Sequence, residues 1–299
     1  MKVVHFIVNP IAGKGKSIIT AKYLSQYFEK KDFSIVVKHS EYKGHAKLLA
    51  EQSLREKAVV IVACGGDGTI NEVASCLVHT KFALGIIPIG SGNGLARNLN
   101  IPMNIEKAID IIKKNKTVAI DVGKINDFYF FSNAGIGFAA NTILNFENSK
   151  NRRFLTYLKA FIKSIWSYRD TSNTIIDFNG KQEMIRPFLV LVSNTNEMGY
   201  NFSMTRRALI NDGLLDMVVI KKLSRIKMIY LGILFLWGAE HIIREYSYHT
   251  IKNTNIEFED EKNEIVFQID GELKKVKKNK LQINVIRKSL NVINPNIGF

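Results

Sequence analysis

The chain has 299 residues, of which 46% are hydrophobic and 23% charged, with 42 Lys and Arg against 27 Asp and Glu. This composition excludes the collagen-like, low-complexity and disordered classes. At roughly 100–200 residues per domain, the length predicts two domains. The net charge of +15 favours anionic partners, among which nucleic acid, phosphorylated small molecules and anionic membrane surfaces all qualify.

The apolar segments indicate neither a signal peptide nor a membrane span. The run 3–8 breaks at Asn9-Pro10 without a small-residue cleavage pattern. The longest uncharged apolar stretch, 228–239, is shorter than the roughly 20 residues of a spanning helix. Two cysteines, Cys64 and Cys76, cannot build a disulfide framework, so we expect a cytoplasmic protein.

Short apolar runs alternate with amphipathic stretches through the first 120 residues. The runs that predict strands are Val3–Val8, Phe33–Val37, Ala58–Ala63, Ala83–Pro88 and Val118–Val122. The stretches with helical spacing are Lys16–Lys31, Gly44–Arg55, Ile70–Val78 and Ile105–Lys114. Strands that are apolar on both faces and separated by helices indicate an α/β domain with a doubly wound parallel sheet, over residues 1–121.

The pattern changes near residue 122. The predicted strands beyond it are Phe128–Asn133, Thr174–Phe178, Pro187–Ser193, Leu214–Ile220, Asn255–Phe258, Ile265–Ile269 and Lys280–Val285. Turn signals such as Asn179-Gly180 join several of them, and helical stretches are predicted near 150–168 and 224–245. We therefore predict an antiparallel β-sandwich over 122–299, with room for the last residues to return to the first domain.

The strongest local motif is Gly65-Gly66-Asp67-Gly68-Thr69, between a predicted strand and a predicted helix. Three glycines let the backbone turn tightly and approach a ligand, and a helix amino terminus favours phosphate. An Asp in an anion site makes sense when it holds a Mg²⁺ that bridges phosphate oxygens. The alternative is a tight turn with an Asx cap.

Two further loops follow strands of the same predicted sheet. They are 9–17, Asn-Pro-Ile-Ala-Gly-Lys-Gly-Lys-Ser, and 90–94, Gly-Ser-Gly-Asn-Gly. Since ligands bind outside the carboxyl ends of strands in open α/β sheets, we expect the three loops to converge on one site. Loop 9–17 ends like a P-loop, but Pro10 stands where that pattern needs Gly. A Rossmann dinucleotide fingerprint is also missing from the sequence.

Acidic turns mark the second domain. Asp212 lies in the segment 208–216, Ala-Leu-Ile-Asn-Asp-Gly-Leu-Leu-Asp, and Asp270 and Glu272 flank Gly271 at a predicted hairpin. Asp-Gly is ordinary turn chemistry. Against that interpretation, Glu272 follows a strand at a place where a carboxylate could accept a proton from a hydroxyl.

In combination these motifs resemble the diacylglycerol kinase catalytic-domain family, which includes the soluble bacterial lipid kinases and the sphingosine and ceramide kinases. The motifs that carry the resemblance are Asn-Pro-x-x-Gly at 9–13, Gly-Gly-Asp-Gly-Thr-x-Asn-Glu-Val at 65–73, Gly-Ser-Gly-Asn-x-Leu-Ala-Arg at 90–97, Asn-Asp-Gly-Leu-Leu at 211–215 and Asp-Gly-Glu at 270–272. The resemblance implies a nucleotide domain related to those of NAD kinases and phosphofructokinases, a sandwich-like second domain, and ATP with Mg²⁺ in the cleft.

The resemblance also assigns roles to individual residues. Glu272 matches the proton acceptor, Asp67 serves Mg-ATP, and Asp270 is a further catalytic candidate. The residues implied in nucleotide binding are Asn9, Pro10, Gly13, Ser40, Gly65, Gly66, Asp67, Gly68, Thr69, Ile70, Asn71, Gly90, Ser91 and Asn93. A structural Mg²⁺ site is implied at the carbonyls of Leu209 and Leu214 and the carboxylate of Asp212.

Departures from the family pattern bear on the substrate. Gly94 stands where many bacterial members have Asp, which is closer to the sphingosine kinases. Those kinases carry an acidic residue beyond the stretch matching Gly135-Ile136-Gly137, where this chain has Ala139, Ala140 and Asn141. The sequence therefore favours phosphoryl transfer to the hydroxyl of diacylglycerol or a related neutral lipid over a sphingoid base or ceramide.

The expected partners follow from a lipid substrate at the inner membrane surface. The stretch 152–169 mixes five basic residues with aromatic and aliphatic ones and contains no acid, as in an interfacial helix. Its alternative is a helix packed on the domain with a solvated basic face. A homodimer is left open, and nucleic acid is not expected. The rival functions are NAD kinase, which shares the Gly-Gly-Asp-Gly-Thr motif, and a basic nucleic-acid-binding protein.

Overall fold

A computed structural model describes residues 1–13, 18–147, 154–168, 172–196, 203–259 and 264–294. Its contacts divide the chain into two units, one of Met1–Val122 with Lys288–Phe299 and one of Gly123–Arg287. Within the described ranges, every helix is too short or too polar to cross a bilayer.

The first unit alternates strands and helices. Its strands are β1 (Lys2–Val8), β2 (Phe33–His39), β3 (Val60–Gly65), β4 (Ala83–Pro88) and β5 (Thr117–Ile125), the last of which runs into the second unit. Its helices are α1 (Ala21–Leu24), α2 (His45–Arg55), α3 (Asp67–Leu77), α4 (Gly94–Asn98) and α5 (Ile105–Lys114).

A parallel sheet forms the centre of this unit. Its strand order is β2-β1-β3-β4, and all neighbouring pairs are parallel. Every residue of β3 and β4 is buried, which explains why both strands are almost continuously apolar. The loops after β1, β3 and β4 consequently leave the same edge of the sheet.

The first helix is much shorter than predicted. Helix α1 covers only Ala21–Leu24, whereas the sequence predicts Lys16–Lys31, whose first two residues lie outside the described part. After Leu24 the chain forms tight turns, and the Ser25 hydroxyl donates to the carbonyl of Lys22. These turns place Phe28 edge-on against Phe6. Packing thus overrides the local helical pattern.

The second unit consists mainly of strands, with three helices among its described residues. Its strands are β6 (Phe128–Phe130), β7 (Asn133–Gly137), β8 (Thr174–Phe178), β9 (Lys181–Ile185), β10 (Pro187–Ser193), β11 (Leu215–Lys221), β12 (Tyr246–Ile251), β13 (Asn253–Phe258), β14 (Ile265–Ile269), β15 (Glu272–Val276) and β16 (Lys280–Ile293). Its helices are α6 (Phe138–Glu147), α7 (Phe154–Ser167) and α8 (Arg225–Trp237), and a 3-10 turn covers Glu240–Ile242.

These strands form an antiparallel sandwich. One sheet has the order β12-β11-β10-β7-β14-β15, and the other set pairs β16-β13-β8-β9. Side chains alternate along the central strands: Val190 and Val192 of β10 join the core between the sheets, whereas Leu189 and Leu191 pack under the helices. The predicted combination of an α/β domain and a β-sandwich is confirmed.

Several element boundaries differ from the sequence prediction in this unit. The predicted strand Phe128–Asn133 is two strands, β6 and β7, because the amides of Phe131 and Ser132 bond to the Asp270 carboxylate. The predicted helical stretch 224–245 ends at Trp237, where Gly238 takes a left-handed conformation. The elements that the sequence analysis missed are α4, α6, β9, β12 and β15.

The last strand carries the chain back into the first unit. In β16, Asn291 and Val292 pair in parallel with Ala83 and Leu84 of β4. Lys288 has a φ of 44° at this passage, and its amide donates to the buried Asp121 carboxylate at 2.6 Å. Asp121 therefore holds the returning strand in place.

A buried histidine makes the stability of the first unit depend on pH. His5 of β1 is buried, and burial followed by the charge of Lys38 lowers its pKa below 6.5. Native protein therefore takes up the proton less readily than unfolded protein, so stability falls as the pH drops below about 6.5. Urea denaturation at pH 7.5 and 5.5 checks this: His5→Gln should lose less stability on acidification than wild type. The exposed-site variant His39→Gln should behave like wild type, and equal slopes for all three proteins would contradict the prediction.

Candidate active site

The loops after β1 and β3 are joined by the side chain of Asn9. Its Oδ1 accepts the amide of Ile11 at 3.1 Å, and its Nδ2 donates to the Thr69 hydroxyl at 3.2 Å. The Asn9 amide in turn donates to the carbonyl of Cys64. Asn9 thus fixes its own turn and attaches it to the Gly-Gly-Asp-Gly-Thr segment.

Glycine is required where the loops after β1, β3 and β4 approach one another. A Cβ on Gly90 would lie 2.5 Å from the Cα of Gly66, and one on Gly13, with φ at 67°, would lie 2.7 Å from the carbonyl oxygen of Ile89. Such distances are well inside van der Waals contact, so side chains at Gly13 and Gly90 would push the loops apart. The predicted convergence of the three loops is confirmed.

Asp67 ties the 65–69 segment to the loop after β4. Its Oδ2 accepts the amide of Asn93 at 2.8 Å, and its Oδ1 accepts the amide of Gly94 at 2.7 Å. Burial raises the pKa of Asp67 above its ordinary value, while these two hydrogen bonds and the charge of Arg97 act in the opposite direction. The Asp67 carboxylate is therefore a structural clamp between the two loops.

The amino end of α3 provides amides for an anion. The residue before the helix, Gly66, has no side chain to cap it, and the first intrahelical bond runs from the amide of Ile70 to the carbonyl of Gly66. The first-turn amides of α3 consequently have no acceptor within the helix. Together with the helix dipole, this end can bind phosphate oxygens.

A cavity of about 390 Å³ lies beside these loops in the first unit. Its lining residues are Gly13, Pro88, Ile89, Gly90, Asn93, Arg97, Met103 and Ile105. The site prediction omitted Arg97, whose Nε donates to the carbonyl of Gly92 at 2.9 Å. The recognisable signal for Arg97 was its place in the 90–97 motif, whereas nothing local to Met103 or Ile105 pointed to the cavity.

The other predicted residues of the first unit occupy the same edge of the sheet or the start of α3. Ser40 is buried after β2, and its amide donates to the carbonyl of Val8. Asn71 lies in α3, where its Oδ1 accepts the hydroxyl of Ser75 at 3.4 Å. Pro10 lies in the turn after β1, and Ser91 is exposed in the loop after β4. Residues 14–17, which carry the P-loop-like ending, lie outside the described residues.

In the second unit, Asp270 organises the turn that precedes Glu272. Its two oxygens accept the amides of Phe131, Ser132 and Asn133 at 2.8–3.0 Å. Both Asp270, with φ at 47°, and Gly271 are left-handed. These hydrogen bonds give Asp270 a positioning role, which the prediction of a catalytic role did not include.

Glu272 is the first residue of β15. Its Oε2 lies 3.3 Å from the Nζ of Lys274, and both side chains are about one quarter exposed. On the preceding strand, the Gln268 side chain donates to the Oδ1 of Asn133 and accepts the amide of Gly271. The turn that carries Glu272 is therefore held from both sides.

The predicted structural metal site lies in the loop before β11. Leu209 and Asp212 are exposed, and the Asp212 Oδ1 accepts the amide of Leu214 at 2.9 Å. Asp216, which the site prediction omitted, is buried and accepts the Tyr248 hydroxyl at 2.6 Å. Burial and the charge of Asp212 raise the pKa of Asp216. No cluster of three or more His, Cys, Asp or Glu suited to a metal occurs in the described part of the chain, and the predicted set depends on carbonyl oxygens.

Comparison with known proteins identifies the family. Residues 3–125 match the model of the diacylglycerol kinase catalytic domain. Residues 132–294 match that of the YegS C-terminal NAD kinase beta sandwich-like domain. A protein of Bacillus subtilis (strain 168) named diacylglycerol kinase is 32% identical over 263 residues, which cover 85% of this chain and 84% of the relative. The chain belongs to the diacylglycerol kinase family of lipid kinases.

Solved structures share the fold. A diacylglycerol kinase from Bacillus anthracis str. Sterne has a TM-score of 0.71 at 22% identity, with 99% of this chain and 98% of that chain covered. Yeast NADH kinase complexed with NADH has a TM-score of 0.50 at 12% identity, with 99% and 84% covered. These two similarities concern the fold alone. The family assignment confirms the predicted enzyme class, a lipid kinase of the diacylglycerol kinase type.

The close approach of Gly66 and Gly90 can be tested with one methyl group. In Gly90→Ala the new Cβ would meet backbone at 2.5 Å, so we expect a loss of about 1–3 kcal/mol in the free energy of unfolding. Urea denaturation measures this loss. Gly232→Ala is the control, because its Cβ would meet its nearest neighbour, Phe161, at 3.8 Å. Equal stability of the two variants would show that the loops do not need to touch.

The role of Asp270 can be tested by removing one carboxylate oxygen. Asp270→Asn places an amide group opposite backbone N–H donors, so we expect a loss of about 1–3 kcal/mol in the free energy of unfolding. Chemical denaturation of this variant should be compared with that of Asp127→Asn, an exposed carboxylate in the same unit. A variant as stable as Asp127→Asn would contradict the positioning role.

Proposed function

We propose that this lipid kinase uses Mg-ATP to phosphorylate the hydroxyl of diacylglycerol or a related neutral lipid. The observation that carries the proposal is the meeting of three glycine-rich loops at the uncapped end of α3, with Asp67 between them. This arrangement suits a polyphosphate because backbone amides can approach it closely and the helix end favours negative charge.

The first unit supplies the phosphate contacts in this proposal. The turn of Asn9 and Gly13 and the first-turn amides of α3 bind phosphate oxygens, and the Asp67 clamp keeps the loop of Ser91 and Asn93 against them. Phosphoryl transfer depends mainly on positioning and charge stabilisation, so a covalent nucleophile is not needed.

The residues fit a magnesium ion that accompanies the nucleotide. Mg²⁺ is usually held by one or two carboxylates together with substrate phosphates and water. Asp67 supplies one such carboxylate, and its raised pKa reflects burial that its hydrogen bonds do not fully offset. When bound, the ion would neutralise charge on the phosphates. The Leu209, Asp212 and Leu214 oxygens are hard ligands of the kind that a second, structural Mg²⁺ prefers.

Glu272 is the proposed proton acceptor. As the lipid oxygen forms its bond to the γ-phosphorus, the bond from that phosphorus to the bridging oxygen of ADP breaks, and the hydroxyl proton passes to the Glu272 carboxylate. The position of Glu272 supports this role, because hydrogen bonds to Asp270 and Gln268 fix the turn that precedes it. General-base catalysis of this kind contributes about 10²–10⁴-fold to the rate.

The preference for a neutral lipid is supported by the amino end of α6. Ala139, Ala140 and Asn141 provide no carboxylate for the amine of a sphingoid base. Asn141 is itself engaged, because its Oδ1 accepts hydrogen bonds from Asn145 and Ser167. The diacylglycerol kinase name of the Bacillus subtilis relative points the same way.

A substrate panel tests the proposal. Pure enzyme, labelled ATP and Mg²⁺ should be incubated separately with diacylglycerol, sphingosine, ceramide and NAD, and the products identified by mass spectrometry. We expect phosphorylated diacylglycerol to form, and its formation should stop when EDTA removes the Mg²⁺. Glu272→Gln should reduce turnover at least about 10²-fold, whereas the exposed-site variant Glu257→Gln should retain it.

Other outcomes of the panel would exclude specific parts of the proposal. Phosphorylation of NAD or sphingosine in preference to diacylglycerol would overturn the substrate class. Turnover of Glu272→Gln close to that of wild type would remove Glu272 from the mechanism. Full activity in the presence of EDTA would show that the reaction does not need Mg²⁺.

A further inference from the structure

Two apolar side chains lie exposed at the loop edge of the first unit. Ile11, in the turn after β1, is 82% exposed, and Tyr42, in the loop after β2, is 60% exposed. Strands β1 and β2 are parallel and end together, because Val8 pairs with His39. Ile11 and Tyr42 each follow this last pair by three residues. The two side chains therefore occupy corresponding positions on neighbouring loops.

The first residue of α2 fixes the ring of Tyr42. The rings of Tyr42 and His45 stack with their centres 4.6 Å apart and their planes at 7° to each other. The backbone supports this stack, since the His45 Nδ1 accepts the amide of Glu41 and the His45 amide donates to the carbonyl of Tyr42. One face of the Tyr42 ring is thus covered, and its exposed area lies on the other face and along the edge.

Glu72 attaches the loop of Tyr42 to helix α3, whose amino end is the candidate phosphate site. Its Oε1 accepts the amide of Gly44 at 2.8 Å, and Gly44 takes a left-handed conformation with φ at 90°. Glu72 lies five residues after Asp67, the first residue of α3, which is about 7.5 Å along a helix. This hydrogen bond therefore keeps Tyr42 within reach of a nucleotide bound there.

Asn9 attaches the turn of Ile11 to the same helix. The Ile11 amide donates to the Asn9 side chain, which in turn donates to the Thr69 hydroxyl. Thr69 is the third residue of α3. The loops of Ile11 and Tyr42 are therefore both fixed against the first two turns of the helix at which the phosphates are proposed to bind.

We propose that Tyr42 and Ile11 hold the purine base of the phosphoryl donor between them. Every base presents a π-face, so a tyrosine ring that is already ordered can stack on it at little entropic cost. The branched side chain of Ile11 covers the opposite face by apolar contact. The inference rests on the proposed function, because it takes the triphosphate to lie at the amino end of α3, from which the ribose and base extend toward these two loops.

The cavity beside the same loops is the other place that a base could occupy. Its lining, as far as the structure describes it, contains no aromatic ring that could stack on a base, although Met103 gives it an apolar wall. The loop after β2 offers an ordered ring instead. Its charge also suits a nucleotide, since segment 40–47 carries Lys43 and Lys47 against one acid, Glu41. The loops after β1 and β2 are therefore the better binding place for a base.

Binding without turnover tests the proposal on the full chain. Calorimetric titrations with Mg-ADP, Mg-CDP and inorganic tripolyphosphate, all without lipid, separate the contribution of the base from that of the phosphates. Because stacking grows with the area of the ring, wild type should bind ADP more tightly than CDP. Tyr42→Ala should weaken ADP binding about tenfold or more and leave tripolyphosphate binding unchanged. Tyr42→Phe keeps the ring and should bind ADP like wild type.

A variant of Ile11 and two control variants complete the set. Ile11→Ser should weaken ADP binding about fivefold, because it removes apolar contact from one face of the base. Tyr230→Ala removes a tyrosine of the second unit that is 49% exposed, and Met103→Ala shortens a side chain of the cavity. Both controls should bind ADP like wild type. Circular dichroism and thermal unfolding must show that each variant is folded.

Two results would overturn the proposal. The first is a Tyr42→Ala variant that binds ADP like wild type, or that loses ADP and tripolyphosphate binding equally, since a base contact predicts neither. The second is a loss of ADP binding in Met103→Ala with Tyr42→Ala unaffected, which would place the base in the cavity. Failure of the proposed lipid substrate looks different, because ADP binding would still depend on Tyr42 while diacylglycerol is not phosphorylated.

Turnover gives an independent readout of the same contact. Tyr42→Ala should raise the KM for ATP and leave kcat at saturating ATP close to that of wild type. The reason is that the ring would bind the base equally well in the ground state and in the transition state. A fall in kcat with an unchanged KM for ATP would contradict a contact with the base.

Discussion

The candidate active site depends on two hydrogen bonds to one carboxylate. Each oxygen of Asp67 accepts an amide from the loop after β4, at Asn93 and Gly94. This loop holds Asn93 in a left-handed conformation and brings Gly90 against Gly66, and the two hydrogen bonds to Asp67 fix it there. Asp67 is also the first residue of α3, at the helix end where the proposed function places phosphate. One side chain thus ties the loops together and, in the proposed function, supplies the carboxylate that would hold the metal.

In the second unit an aspartate carboxylate also holds a backbone turn, close to the candidate proton acceptor Glu272. Asp270 accepts three backbone amides from the connection between β6 and β7, and Glu272 follows two residues later. Hydrogen bonds from backbone amides to a carboxylate are stronger than those between neutral groups and direct the chain through a conformation that it would not otherwise keep. In both units, an aspartate that resembles a catalytic residue in sequence is also a structural clamp.

The sequence was sufficient to predict the architecture but not the structural role of these two aspartates. Buried strands and glycine-rich loops follow from composition and position, so the α/β domain, the sandwich and the meeting of the loops could all be predicted. The bonds from Asp67 to Asn93 and from Asp270 to Phe131 join residues 26 and 139 positions apart, which local patterns do not encode. The predicted length of α1 was too great for the same reason. Its end depends on the packing of Phe28 on Phe6, which is distant in sequence. The exposure of Ile226 and Trp237 on α8 could not be predicted either, since a helix that is apolar all round is indistinguishable in sequence from a buried one.

The path of β16 has a consequence for how the protein is made. Asn291 and Val292 pair with β4, and Lys288 donates to Asp121, so the sheet of the first unit is completed by the final stretch of the described chain. During synthesis the first 122 residues leave the ribosome long before their last strand exists, and the open edge of β4 must wait for it. The first unit therefore reaches its finished form late, and expressing residues 1–122 alone would leave β4 without its neighbouring strand β16.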